Sequence, residues 1–271
     1  MPRPPAPPPR GILERASPDG VLEHRRVLPS PTLAPCIAHF WWVRWDLRSP
    51  FVAETLPHPS VHVLFERSSP RTIKSEVSGV PTGGFARQLR GTGVVFGIKF
   101  RPAAFQPVLG APMSTLSDRV VPLKALFLEA AAPMARAVHA ALKDASLERA
   151  ISVAEGFLEK VLPALPSEVV RLRDLVERLA TDRAITRVED AAALVSLDVR
   201  TLQRRFAKFV GVSPKWVIQR YRLHEAAAQL ARPDAPSLGA LAASLGYFDQ
   251  PHFVRDFKAV VGHPPGQYAR R

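Results

Sequence analysis

One cysteine, Cys36, stands in 271 residues. An internal disulfide framework and a multi-cysteine zinc site are therefore excluded. Set between Pro35 and Ile37, Cys36 reads as a core residue rather than a nucleophile or sensor. Acidic residues are short: 24 Asp+Glu stand against 37 Lys+Arg, a net charge of +13. No apolar run approaches the roughly 18 residues a membrane span requires. The opening MPRPPAPPPR has no apolar h-region, so no signal peptide is expected and the chain reads as cytoplasmic. Neither a Gly-rich phosphate loop nor a G-x-S-x-G elbow occurs. No catalytic constellation and no cofactor are implied.

What is there begins with texture. The length suits two domains, and 46% hydrophobic residues are enough for folded cores. Residues 1–27 are a Pro-rich tail and lead-in, extended over residues 1–10, where Arg3 and Arg10 read as solvated. From 28 to 121, β-like runs (Ile37–Trp45, Ser60–Phe65, Gly93–Phe100) are broken by Pro57, Pro59, Ser68–Pro70 and Gly83–Gly84. They predict a mainly antiparallel, barrel-like β domain. Residues 122–166 form a helical connector, with helical spacing over Leu123–Leu142 and Ala145–Leu162. Residues 167–271 read as all-α, with Ser167 capping a helix to Leu179. The fold class is α+β.

Three features of the β domain invite a chemical reading. Glu54, His58 and His62 lie close together, but Pro59 separates the histidines and no His-x-His pair is present, so ordinary histidines are expected and no metal site. Trp41, Trp42 and Trp45 are candidates to line an effector pocket. Strand alternation sets Trp41 and Trp45 on one face and Trp42 on the other, so at least one of them packs. Lys99 and Arg101 are candidates to meet an anionic ligand, with a surface or structural role as the alternative.

The C-terminal third is denser in positive charge: from Thr181 onward 14 Lys+Arg face 8 Asp+Glu. Positive charge points to a polyanion, without separating nucleic acid from an anionic membrane. The same stretch repeats itself. Ala192, Val195 and Ser196 recur as Ala242, Leu245 and Gly246; then Asp198, Leu202, Arg204, Phe206, Gly211 and Pro214 recur, one residue further on, as Asp249, Phe253, Arg255, Phe257, Gly262 and Pro265. In each copy a short helix meets a tight turn. An aspartate then caps a second helix with a buried apolar stripe. The outward face of the first carries Arg200, Thr201, Gln203, Arg204 and Lys208; that of the second carries Gln250, His252 and Arg255. Arg pairs bidentately with guanine, Gln with adenine, and Thr meets thymine. Each unit therefore reads as a helix-turn-helix. Ser213-Pro214 caps a linker helix running to about Ala231, whose 19 or so residues span roughly 28 Å, on the scale of a ~34 Å DNA turn.

These residues carry a resemblance. LDVRTLQRRFAKFVGVSPKWVIQRYRLHEAAAQL followed by LAASLGYFDQPHFVRDFKAVVGHPPGQY resembles the AraC/XylS-type DNA-binding domain over about Thr186 to Tyr268. The match includes R-x-R-L at Arg220–Leu223 and the G-Y/F-x-D-Q signature of the second copy. The family implies a bacterial transcription factor reading an asymmetric site, with Arg200, Gln203 and Arg204, and then Gln250, His252 and Arg255, at base edges. Two departures stand out: Ser196 where glycine is common, and Asp198-Val199 where Ser-Pro is common. LAPCIAHFWWVRW, LPHPSVHVLF, GIKFRPAAF and LSDRVVPL resemble the uncharacterised β domain of a subset of these regulators. There it implies effector sensing or dimerisation.

The expected function is sequence-specific regulation of transcription on double-stranded promoter or operator DNA. Candidate further partners are RNA polymerase, a small-molecule effector and a second copy of the chain; no membrane partner is expected. The alternative is a DNA-repair or metal-dependent enzyme fused to a DNA-binding module. Alkyl transfer would require Cys36 as its nucleophile.

Overall fold

Alternation of apolar and polar residues builds the sheet, and the computed structural model, which describes residue 13, residues 18–68 and residues 72–270, arranges it around two opposite faces. The strands are β1 (Gly20–Val27), β2 (Ile37–Thr55), β3 (His62–Ser68), β4 (Thr72–Ser78), β5 (Phe85–Phe100) and β6 (Val120–Pro122). They form one six-stranded antiparallel sheet in the order β1-β2-β5-β3-β4-β6. A short α1 (Gln106–Leu109) precedes β6, and α2 (Lys124–Phe127) follows it. The connector continues as α3 (Ala132–Lys143) and α4 (Leu147–Val161). Together these two helices cover one sheet face. Phe40, Trp42, Val63, Phe65, Phe96, Ile98 and Phe100 pack there with Val138, Ala141, Ile151, Ala154 and Leu158.

The C-terminal part comprises α5 (Ser167–Thr181), α6 (Val188–Ala193), α7 (Val199–Phe209), α8 (Pro214–Leu230), α9 (Leu238–Ser244), α10 (Gln250–Val261) and α11 (Pro265–Tyr268). It holds two small cores. One gathers α5 to α7 around Val217 and Ile218 of α8; the other gathers α9 to α11 around Leu223, Ala226, Ala227 and Leu230.

Several expectations need correction. The sheet is open rather than barrel-like: β6 pairs with β4, and three residues ending in Pro122 offer little edge to close against β1. β1 lies inside the stretch read as lead-in. Its cavity-side residues, Leu22, His24 and Arg26, are mostly charged or polar, so the alternation that marks a strand is hidden. Ser167 is the first helical residue of α5, after Pro166, and makes no side-chain cap. The 20 residues Lys124–Lys143 are long and apolar enough by composition to cross a membrane, contrary to expectation. In the fold they break at Leu128, whose φ is 49°, and Met134, Val138, Ala141 and Leu142 are buried in the sheet core. The linker helix is 17 residues long, about 25 Å at ~1.5 Å per residue. The Pro-rich stretch 1–10, with Arg3 and Arg10, lies outside the described residues.

Candidate nucleic-acid interface

Caps fix where the second helix of each unit begins. The Asp198 carboxylate accepts from the Thr201 N–H at 2.8 Å, and that of Asp249 from the His252 N–H at 2.7 Å. Hydrogen bonds from Thr201, its hydroxyl first and its amide second, hold the Asp198 carboxyl below the usual range. The preceding turns both need a left-handed residue: Gly246 has φ 71° and Ser196 φ 53°. Ser196 thus adopts the conformation its glycine counterpart takes without Cβ strain. The extra residue of the second copy is Phe248. Tyr247 takes the buried place of Leu197's counterpart, and Phe248 stands 96% exposed beside the cap.

From α7, Leu202, Phe206 and Phe209 are buried, which turns Arg200, Gln203, Arg204 and Lys208 outward; Thr201 is half-buried. From α10, Phe253, Phe257 and Val261 are buried, and Gln250, His252 and Arg255 are exposed. Among the described residues, Arg200, Gln203, Arg204, Gln250 and Arg255 have no side-chain hydrogen bond or ion pair. Their neighbour Arg205 differs: it points inward to pair with Glu168 of α5. His252 leans on Asp256 at 3.5 Å and meets the Tyr247 ring edge-on. The Lys208 ammonium lies 4.9 Å from the Phe209 ring. The structure therefore places all eight sequence-predicted residues on two helices of like construction, with five of them lacking a side-chain partner among the described residues.

The linker α8 joins the two units by belonging to both cores. Its two motif arginines face inward. Arg220 is buried, lies 4.4 Å from the Trp216 ring, and donates to the carbonyls of Thr82 and Gly83. Arg222 donates to the Thr186 carbonyl and lies over Tyr247, tying the first unit to the second.

Residues 191–271 match the family described as a helix-turn-helix domain. Over 83 residues the chain is 36% identical to a Streptomyces lividans protein named as an AraC-like transcription regulator, and 35% identical to its Streptomyces antibioticus counterpart. Residues 191–271 are a helix-turn-helix domain, similar to that of these AraC-like regulators. The match takes in 31% of this chain and 27% of the Streptomyces lividans protein, so the chain spans about a quarter of the length of the curated relatives it matches. Upstream of the helix-turn-helix domain, residues 25–122 match a domain of unknown function, DUF6597. Among solved structures, the chain is similar to the C-terminal domain of the response regulator AraT from Geobacillus stearothermophilus (23% identity, 40% of this chain and 88% of that one, TM-score 0.35). It is also similar to ToxT from Vibrio cholerae (12% identity, 85% and 97%, TM-score 0.42).

The helix-turn-helix domain contacts the sheet domain through both units and the linker helix. Val80 and Ala103 enter the core of the first unit, and Leu56 and Leu13 that of the second. Ser117 donates to the Gly211 carbonyl at 2.7 Å, Trp216 Nε1 to that of Thr82 at 3.2 Å, and His224 Nε2 to that of Pro57 at 3.2 Å. Arg101 pairs with Glu177 of α5 and donates to the Ala34 carbonyl, a structural role.

Next to this junction the uncovered face of the sheet encloses a cavity of about 280 Å³. Trp41 and Trp45 line it; Trp42 faces the opposite way, buried in the core beneath α3 and α4, so the three tryptophans do not form one pocket wall. The indoles lie flat because their cross-strand partners are Gly97 and Gly93, where a Cβ would come within 2.0 and 2.2 Å of the rings. His58 and His62 both line the cavity but part company: His58 stacks on His224, and His62 Nδ1 accepts from Trp41 Nε1 at 3.1 Å. Among the described residues no group of three side chains is set to hold a metal. Cys36 is buried in the sheet core, and burial raises its thiol above the ordinary range, opposite to what a nucleophile needs. Lys99 is legible in the sequence as a candidate anion ligand; Arg26 and His39 are not, because only strand register brings them beside it.

Proposed function

We propose that the chain is a sequence-specific DNA-binding regulator of transcription, in which α7 and α10 enter successive major-groove segments of one duplex. One observation carries this reading. Two capped helices of like construction turn Arg200, Gln203, Arg204, Gln250 and Arg255 outward, without protein partners among the described residues, from a single linker helix. Buried Arg220 and half-buried Arg205 and Arg222 of the same domain are engaged by carbonyls or a carboxylate; among the described residues these five side chains are not, and Arg and Gln are the side chains that read guanine and adenine edges. The sheet domain is the control element in this reading, because it grips α8 and encloses a small-molecule-sized cavity beside it. Selection of duplexes from a random pool tests the proposal. The expected product is an asymmetric site whose affinity falls steeply with salt. Recovery of no enriched sequence would overturn it.

A further inference from the structure

The cavity has a floor of basic side chains. Strand register sets His39 of β2, Lys99 of β5 and His62 of β3 side by side in one cross-strand row, and Arg26 of β1 one row away beside Trp41. All four point into the cavity. Around them the walls are apolar: Leu22, Val43, Leu64, Leu89 and the two indoles. Among the described residues no carboxylate lines this space. Glu66, further along β3, is taken by Arg87. Arg26 Nε is buried without a hydrogen-bond partner. Holding Arg26 and Lys99 in an apolar box, with no carboxylate among the described lining residues, is unfavourable.

We propose that this cavity binds an organic monoanion with an apolar body, its carboxylate held by Arg26 and Lys99 and its body lying against Trp41 and Trp45. A single negative charge fits best. Burial, with Arg26 nearby, brings Lys99 down to about 7 and leaves His62 neutral, so Arg26 is the fixed charge and Lys99 supplies the second when an anion arrives. A guanidinium offers a carboxylate two parallel bonds, and the neutral His62, accepting at Nδ1, keeps Nε2–H as a further donor.

Residues of the cavity wall reach the linker helix. Leu56, Pro57 and His58 form part of that wall while Leu56 fills the second helix-turn-helix core, Pro57 accepts from His224 and His58 stacks on that ring at 4.3 Å. Pro81 and Phe85, also in the wall, flank the Thr82–Gly83 carbonyls that hold Arg220. Occupancy therefore acts on α8, and this second half of the inference rests on the DNA-binding reading above.

The test is calorimetry on the full chain with octanoate and phenylacetate, set against 1-octanol and octyl phosphate. The expected result is saturable binding of a carboxylate, with the alcohol and the phosphate each weaker by roughly tenfold or more. Lys99→Met and Arg26→Met should lose that binding while unfolding at no lower temperature than the parent, since each removes an uncompensated charge. The inference is overturned if neither carboxylate binds, if octanol or octyl phosphate binds as well, or if both variants bind like the parent. Band shifts with the selected duplex then separate the two readings. DNA binding that is intact but indifferent to a bound carboxylate removes the coupling to α8, whereas failure to bind any duplex removes the DNA-binding reading and leaves the calorimetric result standing.

Discussion

Single residues carry two kinds of strain in this molecule. Ser196 holds a left-handed backbone at φ 53° where its counterpart in the second unit is Gly246. An L side chain there costs about 1–2 kcal/mol, so Ser196→Gly is expected to raise stability by about 1 kcal/mol, even after glycine's added freedom in the unfolded chain. Urea unfolding reads this directly, and a lower midpoint would show that the turn does not need its left-handed residue. Lys99 stores strain of another sort. Its pKa falls from 10.5 to about 7, through burial and Arg26, with His39 and His62 adding no negative charge nearby. Between those two values the unfolded chain binds more protons than the folded one, so stability rises with pH across this window. Denaturation at pH 7 and pH 9 should show that rise in the parent, with a flatter profile in Lys99→Met. Equal slopes would place Lys99 in solvent.

At the scale of elements, α8 and the loops that hold it join the two halves. The linker is not a spacer standing in solvent. Its first half belongs to one small core, its second half to the other, and Arg220 between them is gripped by the loop leading into β5. Leu56, 1% exposed, reaches from the sheet domain into the second core. Leu56→Ala is expected to destabilise the full chain by about 2–5 kcal/mol. Hydrogen exchange in that variant should rise first in α9 to α11. An effect confined to the sheet would mean that the two domains unfold independently. The caps, the buried stripes and the linker were legible in the sequence because 3.6-residue periodicity and a repeated aspartate are local signals. Much of the sheet was not. β1 escaped notice because Arg26 and His24 occupy cavity-side positions where apolar residues would have marked a strand, and β4 because Lys74, Ser75 and Glu76 interrupt its alternation. The row of His39, Lys99 and His62 was illegible for a different reason: it exists only through the register of three strands far apart in sequence.

For the whole molecule, the arrangement is a sheet with one face closed by the connector helices and the other open to a cavity, beside which two helix-turn-helix units are mounted on one rod. Everything in that account depends on both units reading DNA at once. The measurement that tests it most directly is a base-by-base binding profile of the full chain and of Arg204→Ala and Arg255→Ala on the duplex selected by the parent. Each variant is expected to lose about 1–3 kcal/mol and to relax preference at its own segment, the two segments lying about 10 base pairs apart. Relaxation of the same base pairs by both variants, or of none by either, would contradict the paired-groove account.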